Sequence, residues 1–135
     1  MKGGGKMDIR ENLLYTKEHE WIKIEGNLGT IGVSDYAQSS LGDVTFVELP
    51  KIGNEIKQFE PFASVESVKA VSDIYAPMSG KIIKINEKLS TSPELINQSP
   101  YEKGWIAVIE ISDEKEKENL MPYSEYKKYL DELLK

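Results

Sequence analysis

The sequence predicts a mostly β protein, a sandwich or barrel with a helical end. Three observations carry this. Many short β-prone runs alternate with turn residues. The 135 residues suffice for one domain and are short for two. After residue 112 the chain turns charged and helix-prone, then shows apolar residues at helical spacing.

The elements follow in order. Residues 1–8, MKGGGKMD, read as a flexible leader, which with its neighbours is set at 1–10, leaving 11–135 as one domain. Trp21–Ile24 is a strand, Gly26-Asn27 a two-residue turn, and Leu28–Val33 the return strand. Ser34 is placed to cap a short helix over Asp35–Ser40, with Gly42 as its stop. Val44–Leu49 is a strand ended by Pro50 and Gly53. Short strands follow near Glu55–Lys57, Phe62–Ser67, Val71–Tyr75 and Lys81–Ile85. A loop rich in Ser, Pro and Asn precedes a last strand over Trp105–Ile111. Asp113–Leu120 is expected to be helical, capped by Ser112. Tyr126, Tyr129, Leu130, Leu133 and Leu134 then form one apolar helix stripe, which packs on the sheet or offers a docking face. Gly42-x-Val44-x-x-Val47 resembles Gly80-x-Ile82-x-x-Ile85, a weak internal repeat.

Composition excludes several functions. No apolar run approaches a membrane span of roughly 18 residues, and the N-terminus lacks the apolar stretch of a signal peptide. With 17 basic and 23 acidic residues the net charge is −6, and only Lys127-Lys128 are adjacent bases, so nucleic acid is not an expected partner. There is no Cys and one His, His19, so thiolate nucleophiles, zinc ribbons and His-rich metal sites are ruled out. No P-loop, G-x-G-x-x-G or G-x-S-x-G is present. Difficult chemistry involving this chain must therefore sit on an attached cofactor, with no catalytic residue and no metal supplied by the protein.

One segment stands out. In Ala63-Ser64-Val65-Glu66-Ser67-Val68-Lys69-Ala70-Val71-Ser72-Asp73-Ile74-Tyr75-Ala76-Pro77, two β-prone runs flank Val68-Lys69-Ala70. Folded as a hairpin, the segment sets Lys69 at or near the tip, its amine open to a modifying enzyme. On position alone an ordinary surface lysine fits as well.

Glu66-Ser67-Val68-Lys69-Ala70 followed by Ala76-Pro77-Met78-Ser79-Gly80 resembles the lipoyl-attachment signature of the glycine cleavage system H proteins. Tyr15-Thr16-Lys17-Glu18-His19-Glu20-Trp21 resembles that family's opening. Tyr36-Ala37-Gln38, Leu41-Gly42-Asp43-Val44 and Val47-Glu48-Leu49-Pro50 resemble its middle. Leu95-Ile96-Asn97, Pro100-Tyr101, Gly104-Trp105, Leu120-Met121 and Tyr126 resemble its later parts. The likeness spans about residues 14–130, in order.

The resemblance implies a lipoyl-domain-like fold, a barrel-sandwich hybrid of two antiparallel sheets with the lysine on a hairpin. It implies lipoic acid in amide linkage to Lys69, with Glu66, Ser67, Val68 and Ala70 read by the lipoylating enzyme, a lipoate ligase or octanoyltransferase. The implied partners are a glycine decarboxylase that loads an aminomethyl group, an aminomethyltransferase that unloads it, and a dihydrolipoamide dehydrogenase that reoxidises the dithiol. The implied setting is a cytoplasmic monomer that is a carrier and not an enzyme. Family positions near a cleft for the loaded arm match Glu18, Glu20 and Asp73. The family often has Ser where Glu18 stands. For Glu20 and Asp73 a solvated carboxylate is the competing reading, and His19 is expected to pack or hydrogen-bond. A biotin carrier fits less well, because Val68 and Ala70 stand where methionines flank a biotinyl lysine. Lipoyl domains of 2-oxoacid dehydrogenases usually have Asp before that lysine. The alternative within the scaffold is a lipoyl carrier or donor for another pathway, such as lipoyl relay or sulfur oxidation.

Overall fold

Two antiparallel sheets face each other in the structure, a computed structural model that describes residues 7–135. The elements in chain order are β1 (Leu14–Tyr15), β2 (Glu20–Glu25), β3 (Leu28–Val33), α1 (Asp35–Leu41), β4 (Val44–Glu48), β5 (Glu55–Ile56), β6 (Pro61–Ser67), β7 (Val71–Tyr75), β8 (Gly80–Ile85), α2 (Leu95–Gln98), β9 (Ala107–Ile111) and α3 (Tyr123–Leu133). Six strands make the larger sheet in the order β1-β2-β3-β9-β8-β5, and three make the smaller, β4-β6-β7. Neither sheet closes into a barrel, so the fold is the sandwich form of the expected class.

Ile22 and Ile31 from the larger sheet and Val44, Val47, Val65 and Ile74 from the smaller belong to one buried cluster. Each such side chain contributes roughly 1.5–3 kcal/mol when fully buried. A second cluster is aromatic. Tyr15 stacks on Tyr126 with centroids 4.1 Å apart and planes 5° from parallel, which pins α3 against β1. Trp21 is buried beside it, its indole N–H donating to the carbonyls of Val33 at 3.0 Å and Pro100 at 3.1 Å.

The internal repeat has a physical meaning. Residues at i and i+3 of a regular strand face opposite sides. Both repeat segments carry a register shift, between Val44 and Phe46 and between Ile82 and Lys84. The extra residue turns the strand back. Val44 and Val47 are therefore both buried, and Ile82 and Ile85 both meet the core. One copy lies in each sheet.

Several expectations are corrected. Asp113–Leu120 is a 3₁₀ turn over Glu114–Asn119, capped by Asp113, whose carboxylate accepts the Lys115 amide hydrogen, and not by Ser112. The 86–104 loop contains α2 and a 3₁₀ turn over Glu87–Ser90, each holding one buried side chain, Ile96 and Leu89. Such short turns leave no periodicity in a sequence. The last strand begins at Ala107, two residues late. Tyr126 and Leu130 are buried as expected, but Leu133 and Leu134 are 46% and 56% exposed, because α3 runs past the sheet it packs on. Of the expected leader, residues 1–6 lie outside the described residues. Met7–Arg10 are anchored: Tyr101 donates to the Asp8 carbonyl, and the Asp8 and Arg10 amides donate to Asp35 and Tyr15.

Candidate functional site

β6 and β7 form a hairpin whose tip is Val68-Lys69-Ala70. The Ser67 amide donates to the Ala70 carbonyl at 2.8 Å, closing the turn. The Ser67 hydroxyl oxygen accepts the amide hydrogens of Lys69 at 3.1 Å and Ala70 at 3.2 Å. Serine does this because its short side chain substitutes for a backbone acceptor in tight turns. Ser67 thus shapes the loop from within, whereas Glu66, Val68, Lys69 and Ala70 are exposed.

The tip rests on the end of α1. The Val68 amide donates to the Asp43 carbonyl at 3.0 Å. Ser34 caps α1, its hydroxyl accepting from the Ala37 amide at 3.2 Å, and Gly42 ends it at φ 76, ψ −162, a conformation essentially reserved for glycine. A Cβ added at Gly42 would lie 3.3 Å from Lys69 Cε, so this glycine leaves room for the lysine stem. Asn97 of α2 fixes the junction. Its side-chain NH₂ donates to the Gly42 carbonyl at 2.9 Å, and its side-chain oxygen accepts from the Val44 amide at 2.9 Å.

Lys69 Nζ lies 3.5 Å from the Ser40 carbonyl oxygen. Ser40 lines a cleft of about 200 Å³ between α1, the start of β2 and edge strand β7. Glu18, Glu20 and Asp73 all border this cleft. Sequence reasoning assembled these three and the lysine; it missed Ser40, Gly42 and Asn97 as positioning residues. Gly42 was legible as a helix stop and, like Asn97, as part of a family motif, but neither pointed to a role in seating the lysine, and Ser40 carried no signal of its own.

The three acids differ in setting. Glu18 is exposed at the rim, and Asp73 is exposed on the edge strand opposite Ser64. Glu20 is only 2% exposed, which overturns its reading as a solvated carboxylate. It accepts the Tyr75 amide hydrogen at 3.0 Å and a hydrogen bond from the Thr16 hydroxyl. Burial pushes its carboxyl up to about 7, against the pull of those two hydrogen bonds. Glu20 also borders a second cavity, of about 550 Å³, beside Phe59 and Met121. His19 sits in the aromatic cluster at φ 74, with Nδ1 2.8 Å from the Tyr126 hydroxyl, and burial pushes it down to about 4. It packs and hydrogen-bonds as expected.

A lysine displayed on a rigid hairpin tip beside a small acidic cleft, in a two-sheet β fold, is the layout of a carrier module. The glycine cleavage H-protein family model matches residues 13–133. The chain is 53% identical over 127 residues to the glycine cleavage system H protein of Halothermothrix orenii, covering 94% of this chain and 99% of that one. It is 54% identical over 126 residues to the H protein of Bacillus licheniformis, covering 93% and 99%. The crystal structure of a glycine cleavage system H protein from Mycobacterium marinum superposes with a TM-score of 0.81 at 32% identity, over 91% of this chain and 99% of that one. The chain belongs to the glycine cleavage H-protein family.

Proposed function

We propose that this protein carries lipoic acid in amide linkage on Lys69 and serves glycine cleavage as its mobile-arm carrier. Glycine decarboxylase, aminomethyltransferase and dihydrolipoamide dehydrogenase are its working partners. A lipoate ligase or octanoyltransferase modifies it, and the cytoplasm is its setting, as a monomer. No described helix is long and apolar enough to cross a membrane.

The observation that carries the proposal is the placement of Lys69. Its amine is exposed, its backbone is fixed by Ser67 and Asp43, and its stem passes over Gly42 to the cleft mouth at Ser40. These residues fit the group, because an acyl chain added at Nζ starts beside the cleft without displacing any side chain of the turn. When bound, lipoic acid supplies the dithiol that this cysteine-free chain lacks, able to accept a one-carbon amine and to cycle between thiol and disulfide.

The protein's own residues do the rest. Amide formation removes the Lys69 charge, leaving a neutral tether. Glu18, Glu20 and Asp73 give the cleft a negative lining suited to a cationic amine. Glu20 is held near 7, so a cation arriving beside it favours its ionised form and expels its proton. The buried carboxylate then holds the amine where water has little access.

Intact mass and peptide mapping test the attachment. After incubation with a lipoate ligase, ATP and lipoate, one adduct is expected, on Lys69, and none on Lys69→Arg. An adduct on another lysine, or none on the parent protein, sinks the proposal. Lipoylated protein is further expected to support exchange of labelled bicarbonate into the glycine carboxyl with glycine decarboxylase. Lipoylation without exchange would move the carrier to another pathway.

A further inference from the structure

Glu20 has two sides. One borders the cleft beside Lys69, and the other borders the larger cavity of about 550 Å³. The lysine stem leads to the cleft mouth at Ser40, whereas neither α1 nor the hairpin tip lines the larger cavity. Between the two spaces stands the Glu20 carboxylate, held by the Thr16 hydroxyl and by the Tyr75 amide. The wall of the larger cavity is stiff. Phe59 sits at φ 66, a conformation that a bulky side chain rarely adopts. Hydrogen bonds fix it there: its amide donates to the Ala76 carbonyl at 2.7 Å, and the Ala76 amide donates to the Glu60 carbonyl at 2.9 Å. The Gln58 side-chain NH₂ donates to the Pro77 and Glu116 carbonyls, each at 2.9 Å, and so ties this turn to the 3₁₀ turn that ends at Asn119. A strained residue held this firmly points to a use for its side chain. The Phe59 ring is 48% exposed and borders the cavity together with Tyr75, Leu120 and Met121. Four carboxylates, those of Glu18, Glu20, Glu118 and Glu125, line the same space with one base, Lys17. Of these five residues only Glu20 is buried.

We propose that this cavity binds a small organic cation with an apolar body, and that such a ligand competes with the aminomethyl cargo across the Glu20 carboxylate. The lining selects the class. Phe59, Tyr75 and Met121 offer two rings and a thioether, a surface that buries a ring or branched alkyl group and attracts an ammonium placed over it. The buried Glu20 carboxylate rejects an anion and holds a cation more firmly than the exposed acids do, since water and salt screen it least. The volume falls in the range of about 300–1,000 Å³ common to small-molecule sites. Competition follows from sharing. Glu18 and Glu20 border both the cavity and the cleft. A cation on one side of Glu20 already balances its charge, and a second on the other side meets the first at short range and repels it. Such coupling is reciprocal, so the ligand loosens the cargo by the factor with which the cargo weakens the ligand. The site needs only the folded chain, whereas the competition rests on the reading of Lys69 as the attachment site. No covalent bond forms or breaks.

The test follows amide chemical shifts of the full, unmodified chain by NMR. The probe is benzyldimethylamine, protonated at neutral pH, with benzyl alcohol as its neutral counterpart. Saturable shifts are expected at Phe59, Tyr75 and Met121, with the alcohol binding about tenfold more weakly or worse. Phe59→Gly suits the left-handed backbone and removes the ring. It is expected to bind the amine about fivefold more weakly, while the shifts of Val65 and Ile109 in the core stay in place. The titration is then repeated on lipoylated protein. The unloaded form is expected to bind as the unmodified chain does, and the aminomethyl-loaded form about fivefold more weakly. Absence of saturable shifts, shifts confined to other residues, equal affinity for the alcohol, or full binding by a folded Phe59→Gly overturns the site. Weaker binding on lipoylation alone overturns the separation of the two spaces, because the arm then fills the cavity. Equal binding by loaded and unloaded forms overturns the competition. A parent that takes no lipoyl group at Lys69 instead removes the attachment reading, and the amine site stands or falls on the unmodified chain.

Discussion

The Glu20 carboxylate accepts the Tyr75 amide hydrogen at 3.0 Å, joining β2 of the larger sheet to β7 of the smaller. The same carboxyl group faces the cleft beside Lys69. It is therefore both a clamp between the sheets and the most buried of the three acids that line the cleft.

That double role gives a pH dependence with a definite sign. The Glu20 carboxyl is raised from 4.5 to about 7 by burial. A raised folded value stabilises the protein below the unfolded value, and the contribution is lost as pH rises through 7. From this group the parent is expected to lose up to about 3 kcal/mol between pH 4.5 and pH 8. Glu20→Gln keeps an acceptor for Tyr75 and cannot ionise. Urea unfolding of both proteins across that range is expected to show a difference that shifts in favour of the variant as pH rises. Parallel curves would contradict the assignment.

His19 gives the opposite slope nearby. Burial lowers it from 6.5 to about 4, so its contribution is present above 6.5 and is lost as pH falls towards 4. Its neutral Nδ1 meets the Tyr126 hydroxyl, which also contacts Ser34 Oγ at 2.9 Å. His19→Asn tolerates the left-handed backbone and has no proton to take up. The parent is expected to lose on the order of 2 kcal/mol relative to this variant between pH 6.5 and 4. Equal acid sensitivity of the two would show that other groups govern acid unfolding.

The contrast between these neighbours explains what the sequence could reveal. β-prone runs bounded by turn residues located β2, β3, β7 and β8, because Gly, Asn and Pro punctuate the strands. The caps Ser34 and Gly42 were legible because starting and stopping a helix are local jobs with characteristic residues. The place of Lys69 at a hairpin tip was legible through its flanking runs. By contrast, the burial of Glu20 depends on Thr16 and on Tyr75, 55 residues away, and no local pattern encodes that pairing. Asn97 likewise works through Gly42 and Val44, more than fifty positions distant. Helix α2 and the 3₁₀ turns are too short to show a period. The Asp113 turn was given the wrong cap because Ser112 and Asp113 are both capping residues and composition alone does not separate a short 3₁₀ segment from an α-helix.

Asn97 is the clearest positioning residue outside the cleft. Removing its side chain leaves the Val44 amide and the Gly42 carbonyl without partners. Asn97→Ala is expected to cost about 1–3 kcal/mol, the range for an unsatisfied part-buried group. Amide hydrogen exchange at Val44 should accelerate more than at Ile109 in the core of the larger sheet. Uniform acceleration at both would mean only global destabilisation.

Gly42 tests the seat of the lysine. Gly42→Ala forces a side chain into a glycine-only conformation, at a cost of roughly 1–3 kcal/mol. It also sets a methyl group against Lys69 Cε. Acylation by a lipoate ligase is expected to slow by more than the loss of folded protein accounts for. Asn97→Ala serves as the control, because it perturbs the same junction without crowding the lysine. A Gly42→Ala protein acylated as fast as the parent would show that the stem is free to move aside.

The cleft acids make the last prediction, on retention of cargo. Glu18 and Asp73 are exposed, so Glu18→Gln and Asp73→Asn leave the fold and the Glu20 clamp intact. If the negative lining holds a cationic amine beside Glu20, each change weakens the attraction by the modest amount expected of a partly screened charge. Hydrolytic loss of the aminomethyl group from the loaded protein is expected to rise a few-fold in each single variant. Adding Glu20→Gln should raise it by more than ten, on the order expected for losing a desolvated pair. Reoxidation of the unloaded dithiol by dihydrolipoamide dehydrogenase should change little, because that step involves no cationic cargo. High salt should narrow the gap for Glu18 and Asp73 and leave the Glu20 effect largely in place, since buried charges are screened least. Equal decay rates in the parent and the triple variant would remove all three carboxylates from the resting place of the arm, leaving Glu20 as a sheet clamp alone.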